Sequence, residues 1–287
     1  MKVMIIGADG QLGSDLVPAL KSHTLFTLTY PEFDILVADQ VEKTLNELNP
    51  DIVINTAAYN RVDDGEEYPL EAFRLNSLAV RDLARLCSDK DRILVHFSSD
   101  YVFGGEKRIP YTEEDSPAPL NVYGLTKLAG EYFVRSICRR FFIIRTSSLF
   151  GRAGCRGKGY NFVDLIIERQ EKGQPLRIVD DQRMTPTSTF ELAERLQILI
   201  GTDAYGLYHM SNRGDCTWYE YAREVFRLLG KNPDLSPINS RDYFARAKRP
   251  AYSVLDNTRA ATTGIPPFSH WTGALEDFMR KKGYIGG

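Results

Sequence analysis

The chain opens on a short apolar run, Val3-Met-Ile-Ile6, and similar runs recur at intervals along its first half. Leu25-Phe-Thr-Leu28, Asp51-Ile-Val-Ile54, Arg92-Ile-Leu-Val-His-Phe97 and Phe141-Phe-Ile-Ile144 are too short for helices. They also lack a regular alternation with polar residues, which is the pattern of strands buried on both faces. Between them, Ser14–Leu20, Pro69–Val80 and onward, and 123–137 carry apolar residues at helical spacing. Strand–helix alternation over 1–150 predicts an α/β fold with a parallel, doubly wound sheet. Beyond 151 the pattern loosens. Helices are expected from Asn161 to Arg169, Glu191 to Leu199 and Tyr219 to Leu229, with a short strand at Leu176–Val179. Ser188 and Glu191 have capping-box spacing. These elements predict a smaller second lobe.

The chemistry gathers at strand ends. Gly7-Ala-Asp-Gly10-Gln-Leu-Gly13 follows the first strand and runs into the first helix. Glycines there let backbone approach a pyrophosphate, which the free N–H groups of the turn can bind. Ser98-Ser99-Asp100-Tyr101 ends the fourth strand, on the sheet edge that faces ligands in such folds. Tyr123 and Lys127 are four residues apart on the next helix, for which Asn121 is an N-cap candidate, so they share a face. An ammonium beside a phenol favours the phenolate. Such a phenol can exchange a proton with a carbinol oxygen near neutral pH while Ser99 holds that oxygen. A Tyr and a Lys at this spacing are common on amphipathic helices, and the glycine turn in its strand–turn–helix setting is what gives the pair weight.

Together these motifs resemble the extended short-chain dehydrogenase/reductase family, and within it the dTDP-4-dehydrorhamnose reductase branch. The matching stretches are Gly10-Gln-Leu-Gly13, Asn55-Thr-Ala-Ala-Tyr59, Ser98–Phe103, Tyr123–Glu131, and Asp181-Gln182 followed by Thr185-Pro-Thr187. The resemblance implies a Rossmann sheet over 1–150, rejoined by about 186–210 through a return strand at Gly206–His209. Residues 151–185 and 211–287 would then form a partly discontinuous substrate lobe. It implies NADPH or NADH as cofactor, held by Gly7, Gly10, Gln11, Leu12, Gly13, Asp34, Ile35, Ala57, Ala58, Tyr59, Ser98, Tyr123 and Lys127. Catalysis would fall to Ser99, Tyr123 and Lys127. Ser99, Asp100, Tyr101, Ser148 and Gln182 would meet a nucleotide-linked 4-keto-6-deoxy sugar, with dTDP-4-dehydro-L-rhamnose the expected substrate.

Three positions depart from the family pattern or distinguish its branches. Related dehydratases carry Glu where this chain has Tyr101, so water elimination loses its acid partner. Thr29 stands where the branch often has an Asp that repels a 2′-phosphate, with Glu32 and Asp34 lying past Pro31. Ser148 replaces a Trp that borders the sugar, and Phe150 or Tyr160 is available to refill that space. An epimerase of the same family stays open as an alternative. So does a non-catalytic role similar to the regulatory beta subunit of methionine adenosyltransferase.

Composition narrows the partners. Thirty-six basic and 38 acidic residues give a net charge of −2, which favours neither nucleic acid nor an anionic membrane. No apolar stretch approaches the roughly 18 residues of a membrane span. The chain starts directly on a core strand, so no secretory leader is expected. Four cysteines, at 87, 138, 155 and 216, lack C-x-x-C spacing, and the four histidines lack ligand spacing, so no metal site is expected. Reduced thiols in a cytoplasmic protein fit best, and the resemblance admits a homodimer. The glycine- and base-rich stretch Gly151–Gly159 reads as a mobile loop near substrate phosphates or, the reading slightly favoured, as a solvated turn.

Overall fold

Val3 and Ile5 point to one side of the first strand and Met4 and Ile6 to the other, and all four are buried. The computed structural model, which describes residues 1–154 and 159–286, gives each pair its own core. Val3 and Ile5 pack with Leu16 of α1 (Gly13–Ala19) and with Leu192, Leu196 and Leu199 of the helix Thr189–Leu199. Met4 and Ile6 pack with Val41 and Leu45 of α2 (Ala38–Leu48) and with Val80 and Leu83 of the helix Ala79–Ser88. Each such aliphatic side chain contributes roughly 1.5–3 kcal/mol on burial. Helices on both faces explain why the strand sequences are apolar throughout.

The strands are β1 (Lys2–Ile6), β2 (Thr24–Leu28), β3 (Ile52–Asn55), β4 (Ile93–Ser99), β5 (Phe141–Thr146) and Gly206–His209. All pair in parallel, in the order Gly206–His209, β5, β4, β3, β1, β2. β1 therefore has β2 on one side and β3 on the other. The chain changes direction there, and a crevice opens beyond the carboxyl ends.

The helix Val122–Ile137 begins where Asn121 Oδ1 accepts the N–H of Gly124 at 2.8 Å. A Cβ on Gly124 would stand 2.1 Å from the carbonyl oxygen of Tyr101, so only glycine lets this helix lie on the turn after β4. The long helix expected from Pro69 is interrupted. A π-turn at Arg74–Leu78 separates Pro69–Phe73 from Ala79–Ser88. Apolar spacing does not register one extra residue per turn.

Beyond β5 a third core forms from Phe150, Val163, Ile166, Leu176, Tyr221, Val225, Trp271 and Leu275, among others. Leu176–Val179 pairs in parallel with Leu235–Ile238. Ala260, Ile265 and Phe268 of the tail pack instead into the sheet core, a return that the sequence pattern does not signal. The capping box at Ser188 is half made. Ser188 caps the Glu191 N–H, but the Glu191 carboxylate accepts from the backbone N–H of Ser269 at 3.0 Å. Part of the Gly151–Gly159 stretch, with Cys155, lies outside the described residues.

Candidate active site

The carboxyl end of β4 sends its two serines to different partners. Ser98 donates to Glu131, four residues beyond Lys127 on the Val122–Ile137 helix. Arg145 of β5 donates to the same carboxylate through Nε at 2.9 Å and Nη2 at 2.7 Å. The ion pair is almost completely buried. Ser99 Oγ accepts the Tyr101 N–H at 3.1 Å and donates to Asp100 Oδ1 at 3.0 Å. Asp100 Oδ2 accepts from Ser147, just past β5, and from Ser253 of the tail. Burial pushes Asp100 up to about 6 against these three donors.

The rings of Tyr101 and Tyr123 meet edge to face, with centroids 6.0 Å apart. Burial holds Lys127 down at about 8, although the Glu131 carboxylate one turn away works in the opposite direction. The ammonium is thus kept close to losing its proton. Burial pushes the Tyr101 phenol up, and a hydrogen bond from Arg249 opposes this. Arg249 in turn forks onto Asp63, at 3.2 and 2.6 Å.

Ser99, Tyr123 and Lys127 line one cavity of about 1310 Å³. At one end its wall comprises Gly7, Gly10, Gln11 and Leu12, then Asp34 and Ile35, with Ala57, Ala58 and Tyr59 of the loop after β3. Gly13 lies beneath the turn rather than on the wall, where a Cβ would come within 2.2 Å of the Gly7 carbonyl oxygen. Asn76, in the π-turn Arg74–Leu78, holds the Tyr59 loop. It accepts the Tyr59 N–H at 2.8 Å and donates to the Tyr59 carbonyl and to Thr126 of the Val122–Ile137 helix, each at 3.0 Å. Further along the same wall Asp34 Oδ1 accepts the Leu36 N–H, and Thr29 donates to Glu32 at 3.3 Å. A carboxylate therefore sits beside the hydroxyl that stands in place of the family Asp.

The other end of the cavity lies against the third hydrophobic core. Ser148 and Gln182 line it, with Phe162, Trp218 and Tyr221 and the cations Arg169, Arg177 and Arg241. Ser148 has φ 43°, a left-handed conformation that non-glycine residues seldom adopt. Phe150 is part of that core against Tyr221 and Phe278, whereas Tyr160 stands at the rim. The site also gathers groups that no local pattern announces: Ser147, Ser253, Arg249 and Thr146. Thr146 pairs in register with Ser99, lines the cavity, and has a buried hydroxyl with no protein partner.

The fit to a dinucleotide rests on two observations. The glycine turn is packed too tightly for side chains, and the Thr146 hydroxyl needs a partner that a bound ligand would provide. Among the described residues no cluster of His, Cys, Asp and Glu is arranged to hold a metal. Among the described residues no helix is long and apolar enough to cross a membrane.

Known proteins resemble this chain over nearly its whole length. A dTDP-4-dehydrorhamnose reductase of Streptomyces griseus is 37% identical over 283 residues, covering 96% of this chain and 91% of that protein. A dTDP-4-keto-6-deoxy-D-glucose reductase of Streptomyces niveus is 35% identical over 276 residues, covering 95% and 94%. The crystal structure of dTDP-4-dehydrorhamnose reductase from Bacillus anthracis in complex with NADP superposes with a TM-score of 0.93 at 33% identity. That match covers 98% of this chain and 99% of the other. The RmlD substrate binding domain family matches residues 1–283, and the chain belongs to that family.

Proposed function

We propose that this chain is an NAD(P)H-dependent reductase of the C4 carbonyl of a nucleotide-linked 4-keto-6-deoxy sugar, with dTDP-4-dehydro-L-rhamnose as the first substrate to try. The observation that carries the reading is the convergence of Ser99, Tyr123 and Lys127 on a single cavity that runs from a glycine turn to a cationic, aromatic lobe. The relatives' names support the same chemistry on more than one sugar.

In this reading Gly7, Gly10, Gln11 and Leu12 flank the cofactor pyrophosphate, with Gly13 closing the turn from below. Asp34 and Ile35 border the adenine, and Ala57, Ala58 and Tyr59 form the groove wall. Ser98 serves indirectly, since its hydroxyl is taken by Glu131. Reduced nicotinamide, when bound, supplies the hydride. Ser99 donates a hydrogen bond to the carbonyl oxygen, and Tyr123 gives that oxygen its proton. Lys127 steadies the phenolate that remains and reaches the nicotinamide ribose. Asp100 and Tyr101 border the sugar from below, and Ser148 and Gln182 from the lobe. Arg169, Arg177 and Arg241 neutralise the nucleotide phosphates.

The division into a sheet domain (1–150 with about 186–210) and a substrate lobe (151–185 and 211–287) belongs to this reading, with the 260–268 tail segment packed back on the sheet. Free, buried thiols at Cys87, Cys138 and Cys216 support a reducing, cytoplasmic setting. A homodimer is the expectation carried by the resemblance, and light scattering reads it.

The test is anaerobic incubation with NADPH or NADH and a panel of nucleotide 4-keto sugars, following both the reduced nicotinamide and the sugar product. Stoichiometric oxidation with formation of the alcohol supports the proposal. Sugar conversion without cofactor consumption assigns an epimerase instead. Inertness toward the whole panel, together with a tightly co-purifying enzyme, assigns a binding role.

A further inference from the structure

Asp100 is buried among hydroxyls, and its two oxygens are used differently. Oδ2 accepts from Ser147 at 2.9 Å and Ser253 at 2.6 Å, while Ser99 is the one side-chain donor to Oδ1 among the described residues, and the backbone N–H of Asp100 itself also turns to the carboxylate. The four residues come from the end of β4, the residue after β5 and the tail, and all are buried. A serine hydroxyl has one proton and two lone pairs. As it stands, the Ser99 proton is committed to Asp100 and one lone pair is taken by the Tyr101 N–H. Nothing is left to donate to a substrate carbonyl.

Ser99 can be released in two ways. If its O–H turns away from an ionised Asp100, Oδ1 loses its hydroxyl donor, and a full negative charge faces the carbonyl oxygen just as negative charge grows there. A buried charge without its partner is costly, and a like charge beside the reacting oxygen adds to the cost. A proton on Oδ1 avoids both. The carboxylic acid then donates to the free lone pair of Ser99, and the Ser99 proton turns outward. Ser147 and Ser253 stay on Oδ2, so no other bond need change.

We infer that Asp100 works as a neutral acid during reduction, and that a proton on its Oδ1 reverses the Ser99–Asp100 hydrogen bond and aims the Ser99 hydroxyl at the substrate carbonyl. This rests on the assignment of Ser99 as the carbonyl's hydrogen-bond donor. Asp100 is a positioning residue, and it keeps its proton through the turnover. C4 takes the hydride of the reduced nicotinamide, the carbonyl oxygen takes the Tyr123 proton, and Tyr123 is reprotonated from solvent. The net change is ketone, reduced cofactor and one proton to alcohol and oxidised cofactor.

The charge environment is compatible with this. On the elements around Asp100 the ionisable groups include His96 on β4, Tyr101 on its own turn, Tyr123, Lys127 and Glu131 on the Val122–Ile137 helix, Arg145 on β5 paired with that Glu131, and Lys248, Arg249 and Tyr252 on the tail. Among the described residues its side-chain hydrogen-bond partners are the three serines, and no salt bridge reaches it. Burial already holds the carboxyl near 6 in the ligand-free protein. Substrate filling the cavity removes water and raises it further.

Two measurements test the inference together. The first is carboxyl infrared or NMR titration of carbon-13-aspartate-labelled protein without ligands, as the difference between the native chain and Asp100→Asn. One carboxyl should titrate near pH 6, and Ser253→Ala, which removes a donor to the charged form, should raise its midpoint by about one unit. The second is kcat/KM for sugar reduction across about pH 5–8. In the native protein it should fall several-fold as the pH rises above the same midpoint, and in Ser253→Ala that limb should move upward. In Asp100→Asn the carboxamide oxygen can take Ser147 and Ser253 while the NH2 donates to Ser99, imitating the neutral acid, so the limb should vanish. An active protein whose limb is identical in Asp100→Asn overturns the inference alone. So does a difference titration showing Asp100 ionised below about pH 5 together with a limb that Ser253→Ala does not move. Failure to reduce any sugar, with the Asp100 titration in place, overturns the functional reading instead.

Discussion

Replacing Glu131 with Gln isolates the charge on which the buried part of the site depends. Glu131 accepts three hydrogen bonds, two from Arg145 and one from Ser98, and both ends of the ion pair are at most 2% exposed. A carboxamide keeps one accepting oxygen. Its NH2 must then face a guanidinium N–H donor to donor, and Arg145 remains a buried cation whose other neighbours among the described residues include His209 at 3.4 Å and the Phe103 ring face at 5.1 Å. Breaking a buried pair from one side costs about 3–5 kcal/mol. That is a large share of the roughly 5–15 kcal/mol that holds a domain folded. At about 2 °C per kcal/mol for a chain of this size, Tm should fall by roughly 6–10 °C. The substitution also removes the anion that opposes the burial of Lys127, so the ammonium, held at about 8 in the native protein, should lose its proton at a lower pH. The alkaline limb of kcat/KM should shift downward with it. Calorimetry and urea titration measure the first effect, and the pH profile the second. The double variant Glu131→Leu/Arg145→Met removes both charges and should recover most of the lost stability. A single variant within about 1 kcal/mol of native, or a double variant no better than the single, would refute this account of the pair.

Three further outcomes follow from the site. Tyr123→Phe should lower turnover by about 10²- to 10⁴-fold with little change in cofactor affinity, whereas Lys127→Ala should weaken both, and near-normal turnover in the Phe variant would remove Tyr123 as the proton donor. Thr29 offers no carboxylate of its own against a 2′-phosphate, so NADPH should be accepted, and Thr29→Asp should shift the kcat/KM ratio toward NADH. Strict NADH dependence in the native protein would show that Glu32, hydrogen-bonded to Thr29, already supplies the missing repulsion. Ser148→Trp should narrow tolerance at C6 of the sugar by about 1–3 kcal/mol in relative kcat/KM, and an unchanged preference would place position 148 outside the pocket's selective surface.

How much of this was legible depends on the range over which each feature is specified. β1, β3, β4 and β5 are apolar because both faces are covered, and a strand covered on both faces can be read from its own residues. The turn Gly7–Gly13, the Asn121 cap and the four-residue spacing of Tyr123 and Lys127 are equally local. Other features are set by partners far along the chain. Glu191 has the spacing of a capping box, yet its carboxylate goes to Ser269, seventy-eight residues away. Ser253 reaches Asp100 across 153 positions, and Arg249 reaches Asp63 across 186. Nothing in Arg249-Pro250 or Ser253-Val-Leu announces those contacts. The π-turn around Asn76 was hidden for a different reason. It changes the helix by a single residue, and its purpose is visible only with Tyr59 and Thr126 in place.

Those distant contacts share a direction. Lys248 offers its carbonyl to Asn121, the cap of the helix that carries Tyr123 and Lys127. The Ala247 N–H and the Arg249 guanidinium both fall on Asp63, while Arg249 also meets Tyr101, whose ring packs on Tyr123. Ser253 completes the hydroxyl set on Asp100. The stretch from 247 to 253 therefore touches the start of the Tyr123 helix, the phenol beside Tyr123 and the carboxyl that controls Ser99. A glycine turn and a Tyr-x-x-x-Lys helix would form from the first half of the chain on local grounds. The hydrogen-bonding state of Ser99 would not, because Asp100 without Ser253 and a packed tail is a carboxylate with one donor fewer and more access to water. Both changes act on the same equilibrium in opposite senses: losing a donor raises the carboxyl's pKa, and gaining water lowers it. The proton on Asp100 is thus set by how the tail packs against the sheet, and in that respect the chemistry proposed for the first half of the chain is completed by the second.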